Sequence, residues 1–146
     1  MEKSLSFLEK MKQEFSCEKK DIRTYSPLTL AFVGDCVFDL IIRTVIVERA
    51  NRSPHDLHKM KSAIVKAKTQ AELGEAIQEL LTEDEQAVYK RGRNAKSGST
   101  AKNASVGDYR KATALEALVG YLFLLDQEDR ILFLVKAGLE KLEIVI

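Results

Sequence analysis

The stretch from Leu28 to Ile42, LTLAFVGDCVFDLII, has the composition of a core helix, yet it carries two carboxylates, Asp35 and Asp39. Four residues apart, they project from one helix face on successive turns. An ionised carboxylate buried without a partner is costly, and two on one face also repel. Ordinary ion pairs, such as Asp39 with Arg43, would resolve the conflict, and so would a divalent metal. That helix alone does not decide between them. A second segment favours the metal: residues 112–125, ATALEALVGYLFLL, hold a single charge, Glu116. A buried glutamate in one apolar helix can meet aspartates of another where small residues let the backbones close. Ala112, Ala114, Ala117 and Gly120 are such residues. Carboxylates completed by water suit a hard cation such as Mg²⁺. Gly34, inside a helix, costs about 1 kcal/mol against alanine, which predicts a close backbone approach there.

Other chemistry is poorly supported. His55 and His58 form an HxxH on a helix, but no further ligand set accompanies them, which argues against zinc. No Ser, Cys and His arrangement suggests nucleophilic catalysis. Cys17 and Cys36 form no CxxC, and Cys36, inside an apolar run, is expected to be a reduced, buried thiol. The net charge of +1 conceals an asymmetry. Residues 90–111 hold seven basic residues, Lys90, Arg91, Arg93, Lys96, Lys102, Arg110 and Lys111, against one acid, Asp108. That segment is +6 and the remainder −5, so a local patch is expected to meet an anionic partner.

The elements that must position these residues are helices. Two prolines and seven glycines, with abundant Ala, Leu, Lys and Glu, favour them, and no segment alternates as a half-buried strand would. The fold class is therefore all-α. At 146 residues, 45% hydrophobic and 31% charged, the chain suits one globular domain, 1–146, with a core that needs no disulfide. A first amphipathic helix is expected over 3–15, then a polar connection from Ser16 to Tyr25. Ser26-Pro27 starts a helix to about Ala50, and Ser53-Pro54 starts a helix or bent pair through Leu81. Thr82 with Glu85 forms a capping box for a helix to about Arg91. Residues 92–107, with three glycines and no apolar period, read as a loop. Asp108 is expected to cap the next helix, through about Leu125, and a last helix runs from near Gln127 to Leu142. Phe32, Phe38, Leu118 and Leu122 read as core or subunit contact. No stretch is long and apolar enough for a membrane span and no signal peptide opens the chain, so a cytoplasmic location without a membrane partner is expected.

The two carboxylate-bearing segments resemble the ribonuclease III family. LAFVGDCVFD is similar to its signature helix, built on Gly-Asp, and ALEALVGYLFL to its second metal-binding helix, built on Leu-Glu-Ala-Leu-Ile-Gly. Leu57-His58 and the run Arg91-Gly92-Arg93-Asn94-Ala95-Lys96-Ser97-Gly98 resemble the short branch, Mini-ribonuclease III. The resemblance covers about residues 25–143 and leaves 1–24 as an N-terminal extension. It implies a helical bundle like that of the family's endonuclease domain. Asp35 and Glu116 then match the catalytic, Mg²⁺-holding carboxylates. Longer members carry further acids where this chain has Ala31 and Thr113. The short branch lacks those two as well, and usually has an acid at the position of Asp39. One Mg²⁺ per site is favoured over two, with Asp39 either holding a metal-bound water or pairing with a base.

The activity implied is hydrolysis of double-stranded RNA by a homodimer, leaving 5′-phosphate and 3′-hydroxyl ends. The implied substrate is precursor 23S ribosomal RNA, with a large-subunit ribosomal protein as a further partner. No double-stranded-RNA-binding domain follows the last helix, so the basic loop at 91–102 is the candidate grip. Arg91, Arg93, Asn94, Lys96, Ser97 and Lys102 would contact phosphates there, and His58 would touch RNA or line the site. Phe32 matches the aromatic knob that enters the partner subunit. The rival reading, motivated by the missing acids at 31 and 113, is a catalytically inactive helical RNA-binding or ribosome-assembly factor. A protein-interaction module with an acidic partner is a further alternative.

Overall fold

A computed structural model describes residues 4–96 and 105–146. Among them are seven α-helices and no strand: α1 (Phe7–Glu14), α2 (Pro27–Arg49), α3 (Pro54–Val65), α4 (Ala67–Ala76), α5 (Glu83–Asn94), α6 (Val106–Leu124) and α7 (Glu128–Lys141). Single 3₁₀ turns, Ile22–Thr24 and Gln78–Leu80, precede α2 and follow α4. The all-α expectation is borne out. No helix among the described residues is long and apolar enough to cross a membrane.

The helix starts follow from side chains that satisfy otherwise orphaned amides. Ser26 and Ser53 accept from the amides of Thr29 and Asp56, each at 3.2 Å, with proline at the first helical position. Thr82 and Glu85 form the reciprocal capping box. Three boundaries differ from expectation. Helix α1 begins at Phe7, because Ser6 and Glu9 close a capping box that leaves Leu5 outside. Ser105, not Asp108, caps α6: its Oγ accepts from the Asp108 amide at 3.0 Å, so the aspartate stands within the first turn. Helix α5 runs to Asn94, beyond Arg91, because Gly92 packs on α6 instead of ending the helix.

The segment from Ser53 is the bent pair. Lys66 is extended, and the exposed end of α3 is tied by two buried side chains of α4. Thr69 Oγ1 donates to the Ala63 carbonyl at 2.9 Å, and Gln70 Nε2 to the Val65 carbonyl at 2.7 Å.

Helix α6 is the axis of the bundle and packs against α2, α4, α5 and α7. Ala112 to Leu115, Ala117 to Gly120 and Leu122 are all buried, as an apolar helix surrounded by neighbours must be. Phe38, Leu118 and Leu122 are core residues, whereas Phe32 is 83% exposed. Cys36 is exposed too, contrary to the buried thiol expected. It follows Phe32 by one turn on a face of α2 that also shows Leu28 and Leu40 to solvent.

Candidate metal centre and nucleic-acid interface

The site begins at a crossing of two backbones. A Cβ added to Gly34 would overlap the carbonyl oxygen of Glu116 and lie 2.7 Å from the Gly120 nitrogen. One added to Gly120 would overlap the Leu30 carbonyl oxygen and lie 3.0 Å from the Gly34 nitrogen. Two glycines, one from each helix, thus bring α2 and α6 to near contact. The residue after Gly34 is Asp35, and the backbone it abuts is that of Glu116. The close approach predicted at Gly34 is the device that brings the two carboxylates together.

Glu116 is half-buried, and Asp35 reaches solvent. Burial pushes the Glu116 carboxyl up to about 9, reinforced by hydrogen bonding with Asp35 and by that neighbour's negative charge. Among the described residues neither carboxylate is ion-paired to a Lys or Arg. Two facing acids without a basic partner have the chemistry of a cation site. No group of three or more His, Cys, Asp or Glu side chains suited to a metal occurs among the described residues. The two carboxylates that meet here are of the hard-oxygen kind that suits Mg²⁺, a cation that keeps much of its water shell.

Positions 31 and 113 explain how the pair remains a pair. Ala31 is buried with Leu30, Val88 and Ala117. Thr113 is buried, and its hydroxyl donates to the Tyr109 carbonyl at 3.0 Å. Neither supplies a third acid.

Asp39 stands one turn beyond Asp35 and is held by bases. Arg43 Nε donates to its Oδ2 at 2.7 Å, and Lys61 Nζ lies 3.6 Å from its Oδ1. The ion pair with Arg43 is the one expected from the spacing. Lys61, on α3, carries no sequence signal beyond its place three residues after His58 on the same helix face, and sequence reasoning missed it. His58 lines a cavity between α2 and α3 together with Arg43 and Lys61.

The basic residues divide. Arg91, Arg93 and Asn94 lie in the last turns of α5, not in a loop, and Lys96 follows directly. Ser97 and Lys102 lie outside the described residues. Gly92 fixes where this basic helix end sits: a Cβ there would be 2.9 Å from both Ala114 Cα and Ala117 Cβ, which stand two residues before and one after Glu116 on α6. The other end of α5 is anchored by Glu85, a buried carboxylate that accepts from Arg130 Nε at 2.9 Å and from Nη2 at 2.8 Å. Arg130 holds that carboxyl below its usual range, against the opposing effect of burial.

Residues 28–127 match the Ribonuclease III domain family. Relatives named Mini-ribonuclease 3 include one from Thermoanaerobacter, 42% identical over 98% of this chain and 99% of its own. Another, from Clostridium tetani, is 43% identical over 82% of this chain and 78% of its own. One from Enterococcus faecalis is 46% identical over 77% and 86%. A crystal structure of a Fusobacterium nucleatum protein superimposes with a TM-score of 0.75 at 34% identity, covering 84% of this chain and 98% of that one. With its two carboxylate helices inside the matched span, the chain belongs to the ribonuclease III family of endoribonucleases, in its short Mini-ribonuclease III branch.

Proposed function

We propose that this endoribonuclease cuts double-stranded RNA as a Mg²⁺-dependent homodimer and acts in the cytoplasm on precursor 23S ribosomal RNA. The observation that carries the reading is the Asp35–Glu116 pair, two facing carboxylates at a glycine-closed helix crossing with no basic partner among the described residues.

Asp35 and Glu116 are the residues that would hold the metal. When bound there, Mg²⁺ supplies Lewis-acid activation of the phosphate and a more acidic water, the chemistry that phosphodiester hydrolysis to 5′-phosphate and 3′-hydroxyl ends requires. Asp35, open to solvent, faces the side from which RNA would approach. Glu116, set deeper, fixes the depth of the site. Arg91, Arg93, Asn94 and Lys96 place donors and positive charge at the end of α5, with Ser97 and Lys102 continuing the same basic run in sequence. His58 adds a donor from α3. These groups suit an A-form duplex, which is recognised through phosphates and 2′-hydroxyls more than through bases. Phe32, exposed in the middle of a helix, suits a partner subunit, and a two-fold dimer would present one site to each strand. The rRNA assignment, and with it a large-subunit ribosomal protein as accessory partner, rests on the family branch.

The test is cleavage of a long RNA duplex and of structured precursor rRNA with Mg²⁺, with EDTA, and by Asp35→Asn and Glu116→Gln variants. Metal-dependent cutting lost in both variants is expected. The rival assembly-factor reading is favoured by the acid-free positions Ala31 and Thr113. It predicts duplex binding without cutting, unchanged by either substitution.

A further inference from the structure

Beyond the paired carboxylates, α2 carries a second feature on the same face. Asp35, Asp39 and Arg43 recur at four-residue intervals, so Arg43 lies about 12 Å along the axis from Asp35. There the groove between α2 and α3 widens into a cavity of about 460 Å³ lined by Arg43, His58 and Lys61, with Ile46, Val47 and Leu57 as apolar wall. We propose that this notch binds a non-scissile phosphodiester of the RNA strand being cut, and that Asp39 is the positioning residue that sets its two cations.

The hydrogen bonds favour a binding role over a purely structural clamp. Arg43 commits its Nε–H to Asp39, which leaves the two terminal amino groups of the guanidinium fork for a further acceptor. The ammonium of Lys61, with its side chain only 16% exposed, lies 3.6 Å from Asp39 Oδ1, beyond hydrogen-bond distance. That oxygen is buried and has no hydrogen-bond partner. A clamp built for stability would close this gap. Here the lysine is instead held loosely at the rim of an open cavity with its donors unspent. Arg43 and Lys61 outweigh Asp39 by one positive charge, and His58 adds a ring nitrogen on the same wall.

A phosphodiester meets these features together. Its anionic oxygens suit an arginine fork and an ammonium, and the ribose beside it suits the apolar wall of Ile46, Val47 and Leu57. Being displaced along α2 from Asp35, the contact would fall on a neighbouring phosphate and fix the register of the strand over the carboxylate pair. Asp39, by pinning Arg43 on one oxygen and attracting Lys61 to the other, keeps the two cations aimed into the cavity. The inference rests on the double-stranded-RNA reading above.

The experiment is binding of a fluorescent RNA duplex in EDTA across a salt series, with thermal melting of each variant as a check on folding. The Arg43→Gln, Lys61→Gln double variant should bind at least tenfold more weakly at low salt. Its log K against log salt slope should fall by about one for each phosphate no longer engaged. The single variants Arg43→Gln and Lys61→Gln should show intermediate effects, and Lys61→Arg should retain the slope. Asp39→Asn keeps both cations, so it should leave the slope in place while raising KM in the Mg²⁺ cleavage assay. A changed metal dependence of kcat in Asp39→Asn would overturn the positioning role. A folded double variant with the wild-type slope would overturn the notch while leaving the double-stranded-RNA reading intact. Failure of the wild-type protein to bind duplex at all would take both down.

Discussion

Gly34→Ala should unmake the site without touching any functional side chain. The added methyl would overlap the Glu116 carbonyl oxygen and stand 2.7 Å from the Glu116 carbonyl carbon and from the Gly120 nitrogen. These are backbone atoms of a central helix, so no side chain can turn aside. Ordinary contact needs about 3.5–4.0 Å, which obliges α2 and α6 to part by roughly an ångström or more. Overpacking of this kind costs about 3 kcal/mol, and the better helix propensity of alanine returns about 1 kcal/mol, leaving a net loss of about 2 kcal/mol. For a chain of this size that is a fall in Tm of roughly 6 °C. The parting also separates Asp35 from Glu116. Wild-type protein should gain about 2.7 kcal/mol from Mg²⁺ at a hundred times its Kd, and the variant should gain little at the same concentration. Melting curves with and without Mg²⁺ read both effects. Gly107→Ala is the control, since a Cβ there meets nothing within 4 Å and should be neutral or mildly stabilising. If Gly34→Ala melted with the wild type and kept the full Mg²⁺ shift, the close crossing would not be what assembles the carboxylates.

Four further outcomes are expected. Glu116, held up at about 9 by burial and by Asp35, is protonated in the metal-free protein at neutral pH, so metal binding should release about one proton per site. Calorimetry in two buffers of different ionisation enthalpy checks this, and Glu116→Gln should abolish the difference. Because that folded-state value lies above the ordinary 4.5, the associated stability is complete below about pH 4.5. It is lost as pH rises toward 9, so the metal-free protein should melt lower at pH 8.5 than at pH 6. Cys36 shares the face of α2 that bears Phe32, so in a dimer joined there it should alkylate more slowly than exposed Cys17. Phe32→Ala should equalise the two rates, and equal rates already in the wild type would place the dimer seam elsewhere. Arg130→Met strands the Glu85 carboxylate, 4% exposed, without its partner. Urea denaturation should show a loss of about 3 kcal/mol, at the lower end for buried pairs because the Arg130 side chain is itself 28% exposed.

Much of this arrangement is legible from the chain because charge in an apolar helix is a local signal. Glu116 stands alone among fourteen residues, and Asp35 interrupts a core-like run. The Ser-Pro starts and the Thr82–Glu85 box are legible for a similar reason, since a cap is chemistry between residues three apart. The misreadings share the opposite cause. Cys36 reads as buried because hydropathy cannot separate a face turned to the core from one left for a partner; Leu28, Phe32 and Leu40 are as apolar as Phe38. Ser105 and Asp108 are both good capping residues, and only the backbone shows which of them stands outside the helix. Gly92 reads as a helix end because glycine is a poor helix former, and its contact with Ala114 and Ala117 lies more than twenty residues away in sequence. Lys61 is invisible because its meeting with Asp39 depends on how α3 folds back against α2.

Three glycines, Gly34, Gly92 and Gly120, each abut a neighbouring helix backbone at α6 or from it, and together they bracket Glu116. A site hung on loops could tolerate such positions being filled by larger residues. One built from backbone contact in the centre of a bundle cannot, so its precision is obtained by removing side chains rather than adding them. The same economy extends to the acids. With Ala31 and Thr113 absorbed into packing, Asp35 and Glu116 meet without a further carboxylate from either position to add to their repulsion. A third carboxylate would add a like charge to a pair that already holds one proton up to about 9. Restoring acids at 31 and 113 would therefore be expected to weaken the metal-free fold before it improved the site. Ala31 would have to give up its place among Leu30, Val88 and Ala117, and Thr113 its bond to the Tyr109 carbonyl.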